Sequence, residues 1–138
     1  MKVRIGVIGC GVRAQIAHLP ALKKNGKAEI TALCDTDIRK LDYLGTKYGI
    51  KKRELDFQKI VEDPEIDALI IATPNYLHSP MTLTALEYGK DVLCELPIAL
   101  NAKEAKEMVR VARRKKRKLA ISLSHLSLIH ISEPTRPY

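Results

Sequence analysis

A chain of 138 residues is long enough for one domain with a proper core, and 46% hydrophobic with 29% charged residues is typical of a globular protein. It contains no apolar run of about eighteen residues and no signal-peptide apolar core, so we expect a cytoplasmic protein without a membrane partner. The net charge of +8 includes a block of only Arg and Lys at residues 113–118. No aromatic residue interrupts that block, so we interpret it as a solvated helix end and expect no nucleic-acid partner.

The first predicted element is a strand over Val3–Ile8, whose apolar, β-branched residues suit a strand buried on both faces of a parallel sheet. Gly9-x-Gly11-x-x-Ala14 follows, with the spacing of a dinucleotide-binding loop. Gly9 would make the tight turn, Gly11 would let a pyrophosphate approach the backbone, and Ala14 would let the next helix pack closely. That helix, starting near Arg13, would direct its N–H groups at the phosphates. The predicted loop also contains Cys10, Val12 and Arg13.

A second strand, Ala28–Cys34, ends at Asp35, which lies 24 positions after Gly11. A carboxylate near this position accepts hydrogen bonds from ribose hydroxyls in dinucleotide folds, and it repels a 2′-phosphate. We therefore expect NAD as the cofactor, with NADP as a possibility that Arg39 keeps open. The alternative is that Asp35 caps the next helix, although Thr36 or Asp37 can take that role.

Helices and strands alternate along the whole chain. Pro20 predicts a kink or break after His18 in the helix over residues 14–24. The further predicted elements are a helix over Ile38–Tyr48 closed by Gly49, a short strand or loop near Glu54–Phe57, a short helix at Gln58–Val61, a strand over Ala68–Ala72, a loop over Thr73–His78, a helix over Ser79–Tyr88 with Pro80 in its first turn, a strand over Asp91–Cys94, a helix from Asn101 to about Lys116, and a strand over Leu119–Leu123.

This order predicts an α/β fold with a doubly wound parallel sheet, in which ligands bind at the carboxyl ends of the strands. The glycine loop, Asp35, the loop after the third long strand and Glu95 all fall there. Three cysteines, Cys10, Cys34 and Cys94, also lie at predicted strand ends. They lack metal-ligand spacing, so we interpret them as small buried side chains and expect no metal.

Together these motifs resemble the N-terminal domain of the Gfo/Idh/MocA family of NAD(P)-dependent oxidoreductases, which act on sugars, inositols and related polyols. The resemblance rests on residues 6–11 with 18–22, on Asp35, and on residues 72–78 and 85–97. It implies a Rossmann domain over residues 1–125 and a small-molecule sugar or polyol substrate. It also implies that the ribose and nicotinamide end is lined by Thr73, Pro74, Asn75 and His78, with Glu95 near the reactive face. Turn, capping and loop-exit roles are the ordinary alternatives for Thr73, Asn75 and His78.

Two departures from the family pattern limit what the resemblance implies. The family has Glu-Lys-Pro where this chain has Glu95-Leu96-Pro97. Leu96 has no titratable proton, so it cannot act as a general acid or base, and the catalytic residue stays unassigned. We also expect the substrate domain, with its Asp-x-x-x-His pair, to be missing, which would leave this chain inactive alone. Family members commonly associate through that domain, so the full-length protein is expected to be a homo-oligomer.

The last residues, 126–138, do not resemble the family. They resemble a translated sequencing-library adapter, and we expect a non-native or disordered tail there. Two functions stay open: an oxidoreductase domain, or a non-catalytic NAD-binding regulator or sensor. Leu96 favours the second, and the family resemblance favours the first.

Overall fold

A computed structural model of the protein describes residues 2–11, 14–95 and 101–122. Within these residues, six strands form one parallel sheet in the order β3-β2-β1-β4-β5-β6. The strands are β1 Val3–Ile8, β2 Ala28–Cys34, β3 Lys52–Glu54, β4 Ala68–Ile71, β5 Asp91–Glu95 and β6 Leu119–Ser122. The helices are a π-helical segment at Ala14–His18, α1 Leu19–Lys24, α2 Ile38–Tyr48, α3 Phe57–Val61, α4 Asn75–Glu87 and α5 Ala102–Lys115.

The strand register aligns the carboxyl ends of the four central strands. Ile8 at the end of β1 pairs with Cys34 on one side and with Ile71 on the other, and Ile71 pairs in turn with Cys94. The chain moves outward in one direction from β1 to β3 and in the opposite direction from β4 to β6. The crevice between β1 and β4 is therefore the switch point at which doubly wound sheets bind ligands.

Each face of the sheet is covered by helices, which confirms the predicted doubly wound fold. Val7 points into a core with Leu41 and Leu44 of α2, while its neighbour Ile8 points into a second core with Met108 of α5. Successive residues of a strand face opposite sides of a sheet, so both sides of β1 must be apolar. This explains why the strands lack the polar alternation of a sheet with one solvated face.

The helix ends follow the predicted chemistry. Asp37 caps α2 by accepting from the amide of Arg39, and Asn101 caps α5 by accepting from the amide of Glu104. The basic block forms the last turn and exit of α5, as predicted. There Arg114 and Lys115 pair with Glu87 of α4.

Pro20 has the predicted effect on the helix after the glycine loop. The segment is π-helical through His18 and becomes α-helical at Leu19. Proline has no amide hydrogen and its ring clashes with the carbonyl four residues earlier, so a regular α-helical bond to Ile16 cannot form. A π-helical turn accommodates the irregularity.

Two predicted boundaries were wrong. Helix α4 begins at Asn75 rather than Ser79, so Pro80 lies inside the helix and not in its first turn. The extended Pro74 starts the helix early, since its carbonyl already accepts from the amide of Leu77 at 2.9 Å. Strand β3 lies at Lys52–Glu54 because it pairs there with β2, while Asp56 caps α3.

The predicted domain boundary at residue 125 and the tail at 126–138 lie outside the described residues. In the part of the chain that the structure describes, every helix is too short or too polar to cross a membrane.

Candidate dinucleotide site

Gly9 makes the turn at the end of β1 and fixes the loop between two neighbouring strands. Its φ is 96°, a conformation that side chains disfavour, and its amide donates to the Cys34 carbonyl at 2.7 Å. A Cβ on Gly9 would lie 2.5 Å from the carbonyl oxygen of Ala72, just after β4. The loop therefore sits in the notch between the ends of β2 and β4, where only glycine fits.

Gly11 differs from Gly9 in what surrounds it. A Cβ built there meets no atom within 4 Å among the described residues. The loop is nevertheless tied to the following segment, because Gln15 donates from its amide to Gly11 O at 3.1 Å and from its side chain to Cys10 O at 2.9 Å. The backbone at Gly11 is thus fixed by hydrogen bonds and lies beside open space, which suits the approach of a pyrophosphate. Val12 and Arg13 of the predicted loop lie outside the described residues.

Asp35 lies at the end of β2 and contacts the glycine loop directly. Its Oδ2 accepts from the amide of Cys10 at 2.7 Å, and its Oδ1 accepts from the amide of Asp37 at 2.8 Å. Asp37, not Asp35, caps α2, as the sequence allowed. Each carboxylate oxygen has two lone-pair directions, so these bonds leave room for a ribose hydroxyl. Asp35 therefore positions the glycine loop, and its role in binding a ribose stays a prediction.

The predicted site residues after β4 form a turn and the start of a helix. Thr73 and Pro74 connect the strand to α4, and Asn75 is the first residue of that helix. The His78 imidazole is 1% exposed, and its Nε2 lies 2.7 Å from the carbonyl oxygen of Thr73. His78 therefore holds the Thr73 turn in place from beneath. Thr73 is the more accessible of the two.

Glu95 is the last residue of β5. Its Oε1 lies 2.6 Å from Nε2 of His18, whose ring belongs to the π-helical segment after the glycine loop. Both side chains are largely buried, at 12% and 9% exposure. Residue 96, where the family carries lysine, lies outside the described residues.

The three cysteines are buried, as predicted, and are not a reactive cluster. Burial raises the pKa of the Cys10 and Cys34 thiols to about 12 and that of Cys94 to about 11. Thiolate is the form that attacks electrophiles and binds metals, so these groups are inert at neutral pH. Among the described residues, no group of three His, Cys, Asp or Glu side chains could hold a metal ion.

These features define the class of protein. A parallel sheet in the order 3-2-1-4-5-6, with a glycine loop and an acidic residue at the carboxyl ends of β1 and β2, is the NAD-binding Rossmann fold. The sequence model of the GFO_IDH_MocA family, described as an oxidoreductase family with an NAD-binding Rossmann fold, matches residues 3–123. The chain belongs to this family, and the predicted resemblance is confirmed.

Three similar proteins illustrate the range of reactions in the family. The 1,5-anhydro-D-fructose reductase of Ensifer adhaerens is 36% identical over 110 residues, which cover 80% of this chain and 33% of the relative. KijD10, a 3-ketoreductase from Actinomadura kijaniata solved with NADP and TDP-benzene, superposes with a TM-score of 0.85 at 26% identity, covering 96% of this chain and 42% of that one. The scyllo-inositol dehydrogenase of Lactobacillus casei with NAD(H) and scyllo-inositol gives 0.82 at 26% identity, covering 88% and 36%. This chain spans about a third of the length of the curated relatives.

The His18–Glu95 contact is the part of the site that sequence reasoning missed. Both residues belong to the motifs that carry the family resemblance, but nothing in their spacing pairs them. They are 77 positions apart, and β4 lies between β1, which precedes His18 in the chain, and β5, which ends at Glu95. The only local signal was Pro20, which predicted an irregular helix next to His18.

Proposed function

We propose that this chain forms the cofactor-binding domain of an oxidoreductase that transfers a hydride between nicotinamide and a sugar, inositol or related polyol. The observation that carries this proposal is the open space beside Gly11, next to the switch point between β1 and β4. Family membership supports the reaction type. The names of the relatives, a fructose-derivative reductase and an inositol dehydrogenase among them, support the substrate class.

The arrangement of these residues supports one orientation of the cofactor. With the pyrophosphate at Gly11, the ribose next to Asp35 places the adenosine half over β2. The nicotinamide half must then extend the other way, over the ends of β4 and β5, where Thr73 and Glu95 lie. The bound nicotinamide supplies the hydride chemistry, while the chain supplies binding and orientation.

Asp35 favours NAD over NADP in this arrangement. Its carboxylate can accept from the adenosine ribose hydroxyls, and it would repel a phosphate on the 2′ oxygen. Arg39, in the first turn of α2, moderates that repulsion. We expect NAD to bind several-fold more tightly than NADP.

The acid–base group of the reaction is not supplied by position 96. Leucine has no proton to exchange with a substrate hydroxyl or carbonyl. The proposed reaction therefore takes its proton donor and acceptor from another residue of the whole protein.

The Gly11→Val variant tests the binding proposal by isothermal titration calorimetry on the 138-residue chain. A valine side chain would occupy the space assigned to the pyrophosphate, so we expect NAD affinity to fall at least about tenfold. Thermal stability should change little, because the new Cβ meets no described atom. Gly26→Val is the matched control, since Gly26 is equally open but lies at the amino edge of the sheet. Equal NAD affinity in both variants and the parent chain would refute the site.

A second function, an NAD-binding regulator or sensor without catalysis, is favoured by Leu96. Resequencing the gene through codon 96 and onward from codon 124 separates the two. A lysine codon and a continuing frame with an Asp-x-x-x-His pair would support the oxidoreductase. A confirmed leucine and a stop after Tyr138 would support the regulator.

A further inference from the structure

The contact between His18 and Glu95 joins two parts of the molecule that the sheet holds apart. His18 follows the glycine loop of β1, Glu95 ends β5, and β4 lies between those strands. At 2.6 Å between largely buried side chains, this is a short hydrogen bond between an imidazole nitrogen and a carboxyl oxygen. Hydrogen bonds in which one partner is ionised are shorter and stronger than neutral ones.

The backbone at His18 is built to make this contact. A π-helical turn over Ala14–His18 widens the helix where Pro20 prevents a regular one. Such turns are uncommon and occur frequently at functional sites. Ala14 and Leu19, at the two ends of the turn, are fully buried in the core of that sheet face. The imidazole therefore reaches Glu95 from a fixed base.

The position of Glu95 gives the contact a chemical meaning. If the cofactor lies as proposed, its nicotinamide half is over the ends of β4 and β5. The oxidised nicotinamide ring is a cation and the reduced ring is neutral, so a fixed carboxylate nearby interacts more favourably with the oxidised form. A carboxylate that rotates freely into water would lose most of that preference, because water screens it.

We propose that His18 is a positioning residue that fixes the Glu95 carboxylate on the nicotinamide side, so that the site favours the oxidised cofactor. This inference rests on the proposed function. His18 takes no direct part in the chemistry, and its effect is limited to the binding of the nicotinamide half of the cofactor.

The test compares three ligands, NAD⁺, NADH and ADP-ribose, by calorimetry on the 138-residue chain. ADP-ribose keeps the adenosine, the pyrophosphate and the second ribose but lacks the nicotinamide. For His18→Ala we expect NAD⁺ affinity to fall about tenfold, and that of ADP-ribose by less than about twofold. His18→Gln retains a side-chain N–H donor and should stay within about threefold of the parent chain for NAD⁺.

Glu95→Gln is the matched variant on the other side of the contact. It keeps the shape and removes the charge, so the ratio of NAD⁺ to NADH affinity should fall while ADP-ribose binding is unchanged. It also decides the matter if circular dichroism shows that His18→Ala does not fold.

Each adverse result has a distinct meaning. An equal loss of NAD⁺ and ADP-ribose in His18→Ala would show that His18 only supports the glycine loop, and the inference would be wrong while the proposed function stood. An unchanged NAD⁺ to NADH ratio in Glu95→Gln would overturn it likewise. A parent chain that binds none of the three ligands would refute the proposed function together with this inference.

Discussion

The two ends of the parallel strands, called here the amino edge and the carboxyl edge of the sheet, use polar residues in different ways. At the amino edge, Arg4 donates from its backbone amide and its guanidinium to Asp67, at 2.8 Å and 3.0 Å. Lys90 donates to the carbonyl oxygens of Asp63 and Ile66, at 2.6 Å each. At the carboxyl edge, by contrast, glycines, a π-helical turn and backbone amides surround open space.

This comparison distinguishes charged groups that stabilise the fold, at the amino edge, from polar groups that leave room for a ligand, at the carboxyl edge. At the amino edge, the hydrogen bond from Arg4 lowers the pKa of Asp67, and that from Lys52 lowers the pKa of Asp63. Those carboxylates are already satisfied by cations of the same chain. At the carboxyl ends of the strands, Asp35 accepts from the backbone amide of Cys10, so it orders the glycine loop through a neutral partner. A charged group indicates a ligand site only when its partner leaves room for one.

The largest effect of a single substitution should come from Gly9→Ala. Its Cβ would lie 2.5 Å from the Ala72 carbonyl oxygen at a φ of 96°. Strain and overlap together should lower the free energy of unfolding by about 3 kcal/mol, measured by urea denaturation. Gly11→Ala is the control and should change it by less than about 0.5 kcal/mol. Equal destabilisation of both variants would contradict the different roles assigned to the two glycines.

A smaller loss is expected at the amino edge from Lys90→Met. The side chain is 5% exposed, and removing the ammonium takes a donor from two backbone carbonyls. Methionine fills most of the volume, so the loss reports the polar contacts, and we expect about 2 kcal/mol by urea denaturation. Lys59→Met, at an exposed position of α3, should change stability by less than about 0.5 kcal/mol. NAD affinity should be unchanged in both variants. A weakened affinity in Lys90→Met would contradict the assignment of Lys90 to the stability of the fold alone.

The smallest effect, and the most specific, is the pH dependence of Asp63→Asn. The folded pKa of Asp63 is lowered first by the hydrogen bond from Lys52. Its contribution is therefore present above the ordinary carboxyl pKa of about 4 and is lost as pH falls through the lower folded value. The asparagine oxygen can still accept from the amide of Glu65, so the substitution removes the charge and the hydrogen bond from Lys52.

The expected difference in stability is about 1 kcal/mol at pH 7 and shrinks steadily as the pH falls below about 4. Thermal unfolding of parent and variant across this range measures it. A difference that stays constant with pH would show that the charge of Asp63 contributes nothing.

Much of the fold could be predicted because its signals are local. The apolar run at Val3–Ile8 indicated a strand buried on both faces, and the spacing from Gly9 to Ala14 indicated the loop after it. Asp37 and Asn101 indicated helix starts, and Gly49 indicated a helix end. In each case the residues that carry the pattern are neighbours in the chain, so the sequence displays it directly.

Boundaries that depend on other strands were less accessible. The position of β3 is set by its pairing with β2, and the early start of α4 depends on the Thr73–Pro74 turn, which His78 supports from within the core. A pattern of hydrophobicity does not contain these partners. The sequence therefore located each element and missed where two of them begin.

The sequence by itself thus determined the class of fold, the glycine loop and the acidic residue at the end of β2, because periodicity and short spacing are properties of the chain. Only the tertiary structure decided that Asp35 holds the Cys10 amide, that His78 is buried beneath Thr73, and that His18 meets Glu95 across 77 positions. The contacts of Asp35 and His18 depend on strand order, which arises from packing between segments far apart in sequence, and the burial of His78 depends on the core around α4.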